Sequence, residues 1–154
     1  MIICDTLLRR LDAPEILLSP SFSQVAGQLA NKRFSVFNPA TNEKIAELPD
    51  MGIEDARAAI VCAAEAQSEW AARTARERSD TLWRWHQLIV RHTDDLAIIL
   101  TAEMGKPLAE ARSEVSHAAA YLQWYAEEAN RIYGETIPAP SRDRRMIVIK
   151  QPIG

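Results

Sequence analysis

Glycine is scarce in this chain of 154 residues: there are five, and no two stand within two residues of each other. A Gly-x-Gly-x-x-Gly turn or a P-loop needs clustered glycines so that backbone N–H groups can close on a phosphate, and neither is present. Cysteine is scarcer still. Cys4 and Cys62 are isolated thiols, which fit a reducing compartment better than a disulfide framework and have no metal-ligand spacing. Cys62, set among alanines, is expected to be a small buried hydrophobe. No apolar run approaches the roughly 18–20 residues of a membrane span. The first residues carry Asp5, Asp12 and Glu15, unlike a secretory signal or an organellar presequence. A net charge of -3 offers no general attraction to nucleic acid or to an anionic membrane. These absences predict a cytoplasmic protein with neither kind of partner.

What is present is the composition of a globular protein, 47% hydrophobic and 25% charged, which is enough for a real core. Residues 1–33 read as an N-terminal arm in which Leu7, Leu8 and Leu11 begin a short helix limited by Pro14 and Pro20. Residues 34–48 read as two strands about the turn Asn38-Pro39-Ala40-Thr41-Asn42. Helices fill residues 54–104. Thr74-x-x-Glu77 has the form of a capping box, Thr93 with Asp94 and Asp95 marks a new N-terminus, and Gly105 stops that helix. Pro107 opens the best-defined helix. Leu108, Ala111, Val115, Ala118, Leu122, Tyr125, Ala129 and Ile132 form its apolar stripe, and Gly134 ends it. The β-branched run Met146-Ile147-Val148-Ile149 reads as a strand. The fold class expected is mainly α with short β segments.

Three arrangements resemble functional motifs. Glu114-x-x-His117 has the spacing of a di-iron helix-bundle half-site, but such a site needs a second pair and two more glutamates, and His86 and His92 lack a glutamate three residues earlier. No metal site is expected, and His117 is placed beside Tyr121 on one helix face. Trp83-Arg84-Trp85-His86, with nearby arginines, imitates a single-strand nucleic-acid array. Glu77 and Asp80 interrupt its charge, so it reads as the solvated face of a core helix. Arg142, Arg144 and Arg145 read as a solvated loop, partly neutralised by Asp143. No Ser-His-Asp or Cys-His arrangement is evident.

Several blocks together resemble the aldehyde dehydrogenase family: Asn38-Pro39-Ala40-Thr41; residues 66–78 with Trp70 and Ala75-Arg76-Glu77-Arg78; Glu103-Met104-Gly105-Lys106-Pro107-Leu108; Tyr125-Ala126-Glu127-Glu128-Ala129; Arg131-Ile132-Tyr133-Gly134-Glu135-Thr136-Ile137-Pro138; and residues 147–154. They stand in the family's order over residues 34–154. Residues 1–33 match poorly, although Gly27 fits the family's opening strand region. Residues 131–138 and 147–154 look most like the succinate-semialdehyde type.

The resemblance implies the N-terminal part of the α/β aldehyde dehydrogenase fold. Residues 1–33 would be an arm, 34–136 the helical portion of the cofactor-binding domain, and 137–154 a strand of the oligomerisation sheet. The implied activity is NAD- or NADP-dependent oxidation of an aldehyde, succinic semialdehyde to succinate, through a cysteine thioester that a glutamate helps to hydrolyse. The implied partners are a small aldehyde and further copies in a homo-oligomer. The family's cofactor lysine, glycine-rich turn, glutamate and nucleophilic cysteine fall beyond these residues. Cys4 and Cys62 inherit no catalytic role, and the chain alone is expected to bind no cofactor and to be inactive. Ser113 and His117 fall where they would face the substrate channel. A non-catalytic helical interaction module is the competing expectation.

Overall fold

The structure is a computed structural model, and it describes residues 2–18 and 32–153. Gly27 and Pro20 lie outside the described residues. Strand β1 is Ile2–Ile3, followed by the short helices α1 (Asp5–Leu8) and α2 (Glu15–Leu18). Strands β2 (Arg33–Phe37) and β3 (Lys44–Pro49) come next, then four long helices: α3 (Ile53–Ala72), α4 (Ala75–Arg91), α5 (Thr93–Met104) and α6 (Leu108–Glu128). A 3-10 turn, Ala129–Arg131, leads to β4 (Glu135–Ile137) and β5 (Met146–Val148).

The expected pair of strands forms an antiparallel hairpin, with Phe34 opposite Leu48 and Val36 opposite Ala46. Its turn is built by side chains, as Asx and Thr turn chemistry predicts. The Asn38 side-chain oxygen accepts from Ala40 N–H, the Thr41 hydroxyl accepts from Glu43 N–H, and Asn42 takes the left-handed conformation at φ 58°. β1 adds a third strand by pairing antiparallel to β3, giving the order β1-β3-β2. Sequence reading missed β1, because a two-residue strand shows no alternation. It also missed β4. The strand expected at Met146–Ile149 is β5, and it pairs with β4 through Glu135–Val148 and Ile137–Met146. Gly134 permits this, since a Cβ there would collide with the carbonyl oxygen of Val148.

The helix boundaries follow local chemistry. Thr74 caps α4 in a full capping box, with its hydroxyl accepting from Glu77 N–H while the Glu77 carboxylate accepts from Thr74 N–H at 2.8 Å. The backbone N–H and then the hydroxyl of Thr74 hold the Glu77 carboxyl below its ordinary value. α5 begins where expected, by a different device: its cap residue His92 also ends α4, and Thr93 donates back to the Ile89 and Val90 carbonyls. Gly105 ends α5 at φ 76°, with Pro39 of the hairpin turn packed where a side chain would go. α6 stops at Glu128, short of the end expected at Gly134, because the chain tightens into the 3-10 turn Ala129–Arg131.

The main packing is α4 against α6, with α5 also lying on α6. Here the expected stripe is corrected. The buried residues of α6 are Ala111, Val115, Ala119 and Ala126, joined by Ala129 of the turn, whereas Ala118, Tyr125 and Ile132 are exposed. Ala111, Val115 and Ala129 are buried as expected, but the strip is turned toward Ala119 and Ala126, and the polar groups of α4 set that turn. The Ser79 hydroxyl donates to the Ala126 carbonyl at 2.6 Å and accepts from the Asn130 amide at 3.2 Å, and His86 Nδ1 meets the Ala119 carbonyl at 2.8 Å. A second correction concerns α3. It buries no residue, so Cys62 is exposed, as are Ile60 and Val61. The alanines around Cys62 favour helix but meet no partner among the described residues.

Two outcomes follow. Ser79→Ala removes a buried hydroxyl that serves two groups, and should cost about 1–3 kcal/mol in a denaturant titration. Because the Glu77 pKa is depressed, the cap's contribution is present above the ordinary glutamate range and is lost as pH falls through the lower folded value. Helicity of α4 by circular dichroism should decline on acidification, and Glu77→Gln should flatten that part of the profile.

Candidate functional site

The seam with α4 fixes which way α6 presents its other residues. A helix advances about 100° per residue, so Ser113, His117 and Trp124 lie opposite Val115, Ala119 and Ala126. All three are exposed, with Trp124 at 63%. Tyr121 and Tyr125 flank them, their rings 4.7 Å apart and Tyr121 donating to the Tyr125 hydroxyl at 3.3 Å. The pairing with Tyr121 raises the Tyr125 hydroxyl above its ordinary value. Arg112 holds the helix to α5 by reaching Asp94 at 2.6 Å. The result is a wall one helix long carrying a hydroxyl, an imidazole and aromatic rings. The sequence placed His117 beside Tyr121, and the family resemblance added Ser113, whereas Tyr125 was expected in the buried stripe and Trp124 had no assigned place.

Among the described residues this face brings together no catalytic assembly. Ser113 and His117 follow one another along the helix, with no acid placed to orient the imidazole among the described residues. Glu114, the other half of the metal-like motif, is paired with Lys106. Among the described residues no three His, Cys, Asp or Glu side chains gather as metal ligands. His86 is committed to the Ala119 carbonyl and lies against Trp83, so it belongs to the packing. Arg142, Arg144 and Arg145 are exposed in the β4–β5 connection, with Asp143 4.0 Å from Arg144. Trp85 and Arg84 are exposed on α4, and Arg76 is paired with Asp80.

A shallow groove of about 370 Å³ lies where the end of α3, α4 and the end of α6 approach Lys150; Trp70, Arg78, Tyr125 and Ile132 line it. Its lining includes no cysteine, serine or threonine. Gly105, the one described glycine in the left-handed region, is packed against Pro39 of the hairpin turn. No helix of the described residues is long and apolar enough to cross a membrane.

The arrangement is that of the N-terminal part of a dehydrogenase fold. The solved succinate-semialdehyde dehydrogenase of Burkholderia pseudomallei superposes with a TM-score of 0.78 at 45% identity, over 82% of this chain and 27% of that one. Residues 25–154 match the aldehyde dehydrogenase family, and the chain belongs to it. It is 64% identical over 157 residues to a probable NADP-dependent succinate-semialdehyde dehydrogenase of Sinorhizobium fredii, covering all of this chain and 32% of that protein. It is 54% identical to a glutarate-semialdehyde dehydrogenase of Pseudomonas putida, over 77% of this chain and 25% of that protein. The chain thus spans about a quarter to a third of the length of these relatives.

Proposed function

We propose that these residues serve a cytoplasmic, NAD(P)-dependent dehydrogenase that oxidises succinic semialdehyde to succinate through a cysteine thioester. The observation that carries the reading is the 64% identity, over the whole chain, to a probable succinate-semialdehyde dehydrogenase. The unpaired thiols Cys4 and Cys62 support the reducing compartment. The nucleophile, the glutamate and the cofactor site are assigned to the part of the parent protein beyond these residues. The chain's own contributions are the helical layer of residues 34–136 and, in 137–154, a strand that joins further copies in a homo-oligomer. Ser113 and His117 form a side of the substrate channel. There an imidazole and a hydroxyl can hydrogen-bond the carboxylate of a semialdehyde without taking part in the chemistry.

The exposed apolar sides of α3 and α6 also favour a second reading, a non-catalytic helical interaction module. The two readings separate in one experiment. The chain alone should form no NADPH or NADH from succinic semialdehyde. Joined to the remaining two thirds of the Sinorhizobium relative, it should restore turnover, with glutaric semialdehyde as the comparison substrate. An inactive but folded chimera supports the module instead.

In an active chimera, His117→Ala should raise KM for the semialdehyde severalfold and change kcat less. The melting temperature should stay close to the parent's, because an exposed substitution is usually within about 0.5 kcal/mol. An unchanged KM removes His117 from the channel.

A further inference from the structure

Asp95 sits in the first turn of α5, yet its side chain is turned away from solvent, with 4% of its surface exposed. A carboxylate so enclosed is costly unless its oxygens are bonded. One oxygen accepts from Asp12 N–H at 2.8 Å and the other from Ala13 N–H at 2.9 Å. His92 Nδ1 stands 3.9 Å from the second oxygen. Both partners belong to the N-terminal arm, 83 and 82 residues away in sequence. We propose that Asp95 is a latch that fastens this arm, and through it the three-stranded sheet, onto the helical layer.

The arm is a strap held at two places. At one end β1 pairs with β3, and Cys4 N–H donates to the Ile45 carbonyl at 2.9 Å. At the other end the Asp95 carboxylate holds Asp12 and Ala13, and these are its only hydrogen bonds to α5 among the described residues. Between the ends, Leu7 packs with Ile45 and with Ala102 of α5 in a small cluster. Beside that cluster lies an apolar hollow of about 180 Å³, lined by Ile3, Leu7, Val36, Ile45 and Ile99 among others. Ile3, Cys4, Leu17, Val36 and Ile98 pack around that cluster, and the two charge-assisted hydrogen bonds add the directional tie that holds the strap closed. Releasing them exposes Leu7, Leu11 and Ala13, which are buried only while the strap is down.

The two cysteines of the full chain provide the test. Cys4 lies half-buried in the strap, and Cys62 is exposed on α3 as an internal reference. Thiol modification, read by peptide mass spectrometry, should be roughly tenfold or more faster at Cys4 in Asp95→Ala, with Cys62 unchanged. Asp95→Asn should fall between, because its amide offers a single acceptor oxygen. Amide exchange in α4 and α6 should stay as in the parent chain, which separates strap release from unfolding. Equal Cys4 rates in all three proteins, or a rise matched by lost protection in α4 and α6, overturns the latch.

Discussion

The α4–α6 seam organises the rest of this structure. Four of its five buried α6-side residues are alanines, so the two helices meet through small side chains rather than through interlocking large ones. Small side chains bury little apolar area, and their close approach places the Ser79 hydroxyl and the His86 imidazole within reach of backbone carbonyls on α6. These polar links give the seam its register. Once it is set, α5 is carried against α6, with Arg112 and Asp94 bridging the two. The Ser113 and His117 face is thereby left pointing outward.

The same economy explains the distribution of exposed apolar residues. Ile60 and Val61 on α3, Trp124 on α6, and Ile147 and Ile149 around β5 are all more than half exposed. No large side chain is fully buried among the described residues. Scattered exposed hydrophobics are ordinary, but whole faces of this kind mark surfaces that bind something. Among the described residues α3 buries no side chain, and α6 buries only one side, which leaves these apolar residues exposed.

Much of the architecture was legible because it depends on contacts only a few residues apart. The capping box at Thr74 and Glu77, the left-handed stop at Gly105 and the Asn38–Asn42 turn each close within a handful of residues, and each stands where the pattern put it. Family membership was legible for a related reason: the blocks from Asn38 to Ile153 keep their order and spacing. Ser113 and His117 were singled out by the family resemblance, and that they lie opposite the packed side of α6 followed from the burial of Val115, Ala119 and Ala126.

Local pattern failed wherever the partner was distant. Cys62 looked buried because alanines surround it, and it is exposed because α3 buries none of its residues among those described. Ala118 and Tyr125 looked like core because alanine widens the apolar stripe of α6, and hydrogen bonds from α4 turn the buried strip toward Ala119 and Ala126. Asp95 looked like a charge placed for the helix dipole, and instead it binds the backbone at Asp12 and Ala13. By itself, then, the sequence determined the helices, their ends and the family, since caps, breakers and ordered blocks are written into neighbouring residues. The tertiary structure alone decided which helix face is buried and what the buried carboxylate holds, because those outcomes depend on groups that meet only after the chain has folded.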